Sequence, residues 1–258
     1  MDVTKTFSLA GKIALITYPE YVYGPEIAKG LSDAGAKVYL AGADMEALKR
    51  IAADTKAAGV IEYHQKTEAA AEALAAEVEK TAGIPDVFVE NGSNLLLKGW
   101  VHTFEDIYEN LQVTQMGLIL TVKHIGMLMA KKGAGSVIFV SDYAALVGSD
   151  PQNYVNAQGM WDEGFALNYG ILKGEYVNYA RQAAGYLGEN GIRCNCLAFS
   201  PMEKDVEKGF AEQYVKHSHL KRMITADDVA AAAVFFAGDG SRFITGTTVP
   251  VDGGYTAK

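Results

Sequence analysis

The chain has 258 residues, 49% hydrophobic and 21% charged, enough to bury one large core or two small ones. A formal charge of −8 argues against nucleic acid as a partner, because phosphate binding needs a basic surface. No basic stretch followed by an apolar one opens the chain, and no apolar run approaches the ~18–20 residues of a membrane span, so a cytoplasmic protein is expected.

Apolar runs alternate with helix-period segments from one end to the other. In chain order, strands are expected at 13–17, 37–41, 60–63, 87–89, 136–141, 194–198 and 248–251. Helices are expected between them at 25–34, 45–58, 69–81, 104–132, 165–189 and 226–236. Such alternation predicts an α/β fold: a Rossmann-like, doubly wound parallel sheet of about seven strands with helices on both faces. No repeat, linker or low-complexity segment interrupts it, so residues 1–258 read as a single domain. Ligands of such sheets bind at the carboxyl ends of the strands, which puts the motifs below on one rim. Cys194 and Cys196, the only cysteines, share one face of a strand and are poorly placed to bridge each other. Two buried thiols are the simpler expectation. His64, His102, His124, His217 and His219 show no metal-like spacing beyond His217-Ser218-His219, and no metal site is expected.

Four stretches in order point to a family. They are GKIALIT at the first strand, the pair Tyr169 and Lys173 in a YxxxK spacing, ENGIRCNCLAFSP after that helix, and the closing segment RMITADDVAAAAVFFAGDGSRFITGTTVPVDGGYTA. Together they resemble the short-chain dehydrogenase/reductase family along the whole chain. The resemblance implies a site for NAD or NADP and a hydride transfer. In it a tyrosine serves as general acid/base, a lysine lowers that tyrosine's pKa, a serine orients the substrate carbonyl, and an asparagine supports a proton-relay water.

Most of those positions depart from the family. The phosphate loop TGxxxGxG aligns with Thr17-Tyr18-Pro19-Glu20-Tyr21-Val22-Tyr23-Gly24, retaining only Thr17 and Gly24. Glycines permit the tight turn and the close approach of backbone N–H groups to pyrophosphate. Tyr18 and Val22 put side chains in that space, and a carboxylate at Glu20 facing the phosphates would oppose them by roughly 1–3 kcal/mol. Pro25 suits a first helical position, and Glu26 complements the helix dipole that phosphate would otherwise neutralise. The turn is therefore expected to fill its own phosphate site.

Elsewhere the acid or arginine expected after the second strand is Gly42-Ala43, with Asp44 only nearby. Gln65 stands for an adenine-contacting aspartate, and Phe199-Ser200 for a Pro-Gly. The NNAG turn reads Glu90-Asn91-Gly92-Ser93. Asn91 and Gly92, with Thr17 and Gly24, are the vestigial cofactor positions.

The serine position is Asp142, since moving Ser141 into register would turn it to the other strand face. An ionised Asp142 has no hydrogen to donate to a carbonyl. Thr114 replaces the asparagine. Tyr169 and Lys173, at i and i+4, share one helix face, either as a surviving acid/base pair or as a relic. Between Asp142 and Tyr169 the chain is about twice as long as usual, with an insertion at about 149–166. A substrate-loop region is expected at about 199–223.

Two readings follow from the resemblance. In the first, the chain is a non-catalytic subunit that binds no cofactor itself. It would pair, as a hetero-oligomer and most simply a tetramer, with a homologous active subunit that binds NAD, through the helices 104–132 and 165–189. Gly170, Gly174, Ala180, Ala183 and Ala184 would let a partner helix approach closely. In the second, it is an active NAD(P)-dependent oxidoreductase of alcohols or ketones using Tyr169 and Lys173. A cofactor-free enzyme like the family's halohydrin dehalogenases fits less well, because those carry an arginine where Lys173 stands and a serine where Asp142 stands.

Overall fold

A computed structural model describes residues 3–92, 95–157 and 165–257. Seven parallel strands form one sheet in the order β3-β2-β1-β4-β5-β6-β7. They are β1 (Ile13–Thr17), β2 (Lys37–Gly42), β3 (Gly59–Glu62), β4 (Val87–Glu90), β5 (Gly135–Asp142), β6 (Ile192–Phe199) and β7 (Thr248–Val251). The central strands are buried on both faces, which is why they read as continuous apolar runs rather than alternating ones. One face is covered by α1 (Gly24–Asp33), α2 (Met45–Thr55) and α8 (Ala226–Ala237), packed around Ile16, Ile27, Leu31 and Phe236. The other is covered by α3 (Glu68–Thr81), α5 (Gly117–Ala130) and α6 (Tyr169–Leu187), packed around Leu15, Phe88, Ile125 and Phe139, while α4 (Phe104–Leu111) extends α5 outward with only Asn110 buried.

Every expected strand is present within one or two residues of its predicted ends. The helices differ more. α2 stops at Thr55 because Lys56 turns left-handed with φ 59° and caps it. α6 starts at Tyr169 rather than 165. The expected helix 104–132 is continuous through Phe104–Ala130 but carries a π-turn at Gln112–Met116. By length and composition alone that helix could cross a membrane, which corrects the expectation that no such run exists. Half of its apolar window is buried inside the fold, as a core-packed helix requires. A further helix, α7 (Lys208–His217), lies in the region expected to be a substrate loop.

At the centre of the sheet, Thr17 at the end of β1 donates its hydroxyl to Glu90 Oε2 at the end of β4, 3.0 Å away. Glu90 is fully buried and its Oε1 has no hydrogen-bond partner. Burial pushes its carboxyl up to about 8, against the hydrogen bonds from Thr17 and the Gly92 N–H. Because the folded value lies above the unfolded one, the protonated form is favoured by folding. That stability is complete below about pH 4.5 and is lost as pH rises toward 8. Glu90→Gln should therefore flatten the decline in urea-unfolding stability between pH 5 and 8. At pH 8 to 9 the variant should be more stable than the native chain by on the order of 2–4 kcal/mol.

Candidate functional site

The turn between β1 and α1 is closed upon itself. Tyr18 and Tyr23 take left-handed backbone angles, φ 47° and 72°, that glycine would adopt without strain. The amides that a phosphate loop offers to pyrophosphate are used internally: Tyr18 N–H donates to Ala41 O (2.6 Å), Tyr21 N–H to Tyr18 O (3.1 Å) and Gly24 N–H to Tyr21 O (3.1 Å). Gly24 is required there because the Pro19 carbonyl occupies the space of any Cβ.

The Tyr18 ring is buried beside Tyr63 and Tyr21. Its hydroxyl accepts the Gln65 N–H at 2.7 Å and donates to Tyr63 O at 3.4 Å. The Tyr23 ring packs on Phe199 with centroids 4.9 Å apart, and its hydroxyl donates to Ser200 O at 3.1 Å. Asn91 Nδ2 ties the turn down by donating to Tyr18 O at 2.9 Å. Val22 is the exception to the expected filling: it stands at the rim, more than one-third exposed.

Glu20 also departs from expectation. Instead of facing a phosphate position it folds back on β2, where its Oε1 accepts the Ala43 N–H at 3.3 Å. Its carboxylate oxygens lie 2.6 and 2.7 Å from where a Cβ on Gly42 would be, so glycine is required there. Burial raises its carboxyl above the usual range. Asp44 is likewise committed, capping α2 through the Glu46 and Ala47 amides. Glu26, in the first turn of α1, receives the Lys204 ammonium at 2.6 Å.

A pyrophosphate at the family's position is opposed here, because the amides of Tyr18, Tyr21 and Gly24 are already bonded and the Tyr18 ring is buried within the turn. The end of β2 already holds the Glu20 carboxylate.

The other half of the site is open. A cavity of about 570 Å³ lies beyond the carboxyl ends of β4 and β5, walled by Tyr23, Asn91, Asp142, Tyr154, Tyr169 and Lys173, among others. The structure thus brings Tyr169, Lys173 and Asp142 together. Tyr169 donates to Asp142 Oδ2 at 2.5 Å, and the Lys173 ammonium stands 5.9 Å from the Tyr169 ring centroid. Ser141 turns away from Tyr169 and donates its hydroxyl to the Lys173 backbone oxygen at 2.8 Å.

Thr114 does not join them, because its hydroxyl is bonded to Asn110 O within its own helix at 2.9 Å. One turn earlier, Asn110 and Asn168 form a buried amide pair that anchors the segment before α4. Asn168 Nδ2 donates to Asn110 Oδ1 (2.9 Å), and Asn110 Nδ2 donates to Leu95 O (2.8 Å). Sequence reasoning missed that pair, since Asn168 lies beside Tyr169 but its partner is 58 residues away.

Thr17 is buried against Glu90, and Gly92 is held close to the Tyr176 hydroxyl. Ser93 and residues 158–164 of the insertion lie outside the described residues. The insertion's first part packs on α7 and the C-terminal segment: Tyr154 lies 5.0 Å from Phe210, and Asn153 donates to the Tyr255 hydroxyl at 2.9 Å.

Three further expectations need comment. Cys194 and Cys196 are buried and free, their thiols pushed up to about 12 by burial. His217 and His219 go to different partners, Asn153 and the Ala257 carbonyl. Instead Glu68, Glu72 and His124 bring possible ligand atoms within 4.8 Å of one another, a grouping across α3 and α5 that spacing in the sequence does not reveal. It is mostly exposed, and Glu68 is already held by Lys123 at 2.5 Å.

Tyr18→Phe provides a direct test of the turn's construction. Loss of the hydroxyl leaves the buried Gln65 N–H unpaired, and the urea midpoint should fall by the equivalent of about 1–3 kcal/mol.

Known proteins place the whole chain. Residues 23–256 match the family model described as enoyl-(acyl carrier protein) reductase. A tropinone reductase homolog of Arabidopsis thaliana is 27% identical over 270 residues, spanning 100% of this chain and 97% of its own. The 3-oxoacyl-[acyl-carrier-protein] reductase FabG of Chlamydia muridarum is 27% identical over 256 residues, spanning 95% of this chain and 98% of its own. A gluconate 5-dehydrogenase from Burkholderia cenocepacia, solved in complex with NADP and tartrate, superposes with a TM-score of 0.81 at 22% identity, covering 98% of both chains. With the parallel sheet and the Tyr169–Lys173 pair at its rim, these matches establish that the chain belongs to the short-chain dehydrogenase/reductase family.

Proposed function

We propose that this chain is a non-catalytic subunit of a dehydrogenase, paired with a homologous subunit that carries the intact nucleotide site. The observation that carries this reading is the filled turn at Thr17–Gly24, whose Tyr18, Tyr21 and Gly24 amides are already bonded and whose Tyr18 and Tyr23 rings are buried. Assembly would use the outer faces of α4–α5 and α6, where Phe104, Tyr108, Ile119, Met127, Ile171 and Tyr186 are exposed. A run of large apolar side chains on two neighbouring helices suits a partner made of the same two helices.

Close approach there would rest on Gly170 and Gly174, beside which no atom lies within 4 Å of an added Cβ. Ala180 and Ala183, expected in that role, are buried against the sheet instead. In this arrangement the chain resembles the inactive-type subunit of 2-(α-hydroxybenzyl)succinyl-CoA dehydrogenase, which belongs to anaerobic toluene degradation.

The second reading is an active oxidoreductase of an alcohol or ketone. Tyr169 and Lys173 on one open cavity support it, as do relatives named as reductases and dehydrogenases, one of them solved with NADP.

Calorimetric titration with NADH and NADPH separates the two. The partner reading expects no heat from the isolated chain up to millimolar dinucleotide, and micromolar binding by the assembly purified from its source. Micromolar binding by the isolated chain would replace it with the second reading.

A further inference from the structure

The open half of the site carries a feature that the filled phosphate turn does not explain. The Tyr169 phenol does not face a vacant acceptor position. It donates a hydrogen bond to Asp142 Oδ2 at 2.5 Å. The carboxylate is fixed from its other side, because Oδ1 accepts the Ala144 N–H at 2.8 Å and so caps the short turn Tyr143–Ala145. Both groups are at the cavity wall, and Asp142 is only 6% exposed.

We propose that Asp142 locks Tyr169 in its protonated form, a second block on acid/base chemistry that holds whether or not a dinucleotide binds. A phenol that exchanges a proton with a substrate oxygen needs that proton free to transfer and a phenolate stable enough to form. A carboxylate placed where the family has a serine opposes both. It holds in a hydrogen bond the phenol proton that the substrate would need, and its charge disfavours a phenolate beside it.

The neighbours of the pair do not offset this. From the turn before α1 comes Tyr23, and from the turn after β5 comes Tyr143. Around the carboxylate stand Tyr214 of α7 and Cys196 of β6, all neutral at pH 7. Of the cavity's lysines, Lys98, Lys173 and Lys204, it is Lys173, on α6 itself, whose ammonium stands 5.9 Å from the ring centroid. Burial, and after it the Asp142 carboxylate, hold the Tyr169 phenol well above its ordinary value.

The test reads the phenol directly and needs neither dinucleotide nor substrate. Ultraviolet titration of the native chain minus that of Tyr169→Phe isolates the one phenol among 14 tyrosines. The same difference is taken in the Asp142→Asn and Asp142→Ser backgrounds, with circular dichroism showing which variants fold. The expected result is a Tyr169 phenol silent up to the pH of unfolding in the native chain. In whichever Asp142 variant folds, it should ionise at least tenfold more readily, more than one pH unit lower. Asp205→Asn, which removes another carboxylate of the cavity wall, should leave it unchanged.

A native Tyr169 titrating near the ordinary phenol value of about 10 would overturn the proposal, even if neither variant folds. So would equal ionisation in the native and Asp142-substituted chains. Neither outcome depends on whether the chain binds NADH, so this proposal and the proposed function fail separately.

Discussion

The nucleotide side of this molecule depends on one short turn whose Tyr21 and Gly24 amides bond within the turn and whose Tyr18 amide bonds to β2. Holding Tyr18 and Tyr23 at positive φ costs on the order of 1–3 kcal/mol each. The strain persists because each ring is over-determined. Tyr18 is pinned by its own amide on Ala41, by its hydroxyl on Gln65 and by Asn91 on its carbonyl; Tyr23 is pinned between Phe199 and the Ser200 carbonyl. The Tyr21 and Gly24 amides close the turn, and the Tyr18 and Tyr23 rings are buried beside it.

The substitutions around the turn form one construction rather than scattered drift. Gln65 offers a backbone N–H to Tyr18, Ser200 offers a carbonyl to Tyr23, and Gly42 leaves room for Glu20 to fold back. Each of the three contacts the turn. The catalytic end follows the same logic on a separate element, where Asp142 accepts the hydrogen bond of the Tyr169 phenol. The cavity between the two ends remains, walled on one side by Tyr21, Val22 and Tyr23 of the turn and on the other by Tyr154 and Phe210.

The sheet was legible in the sequence because its signals are local: seven apolar runs of strand length, each bounded by turn residues, with helix-period segments between them. The loss of the glycine loop was also legible, since two glycine positions held tyrosine and valine. Where those side chains go was not. Glu20 could be read only as a charge opposing phosphate, because its real partner, the amide of Ala43, lies 23 residues on. The Tyr169–Asp142 bond spans 27 residues and the Asn110–Asn168 pair 58, so neither leaves a spacing pattern. The inward turn of Ala180 and Ala183 was missed for another reason: small residues on a helix suit both a close partner and a tightly packed sheet, and composition does not choose between them.

The central claim is that the turn is closed to pyrophosphate, and diffraction from crystals of the isolated chain soaked in millimolar NADH tests it most directly. The account predicts the Tyr18 hydroxyl still on the Gln65 amide, Glu20 still against Gly42, and no dinucleotide density over the start of α1. A pyrophosphate seated on the amides before Gly24, with Tyr18 swung out of its pocket, would contradict it.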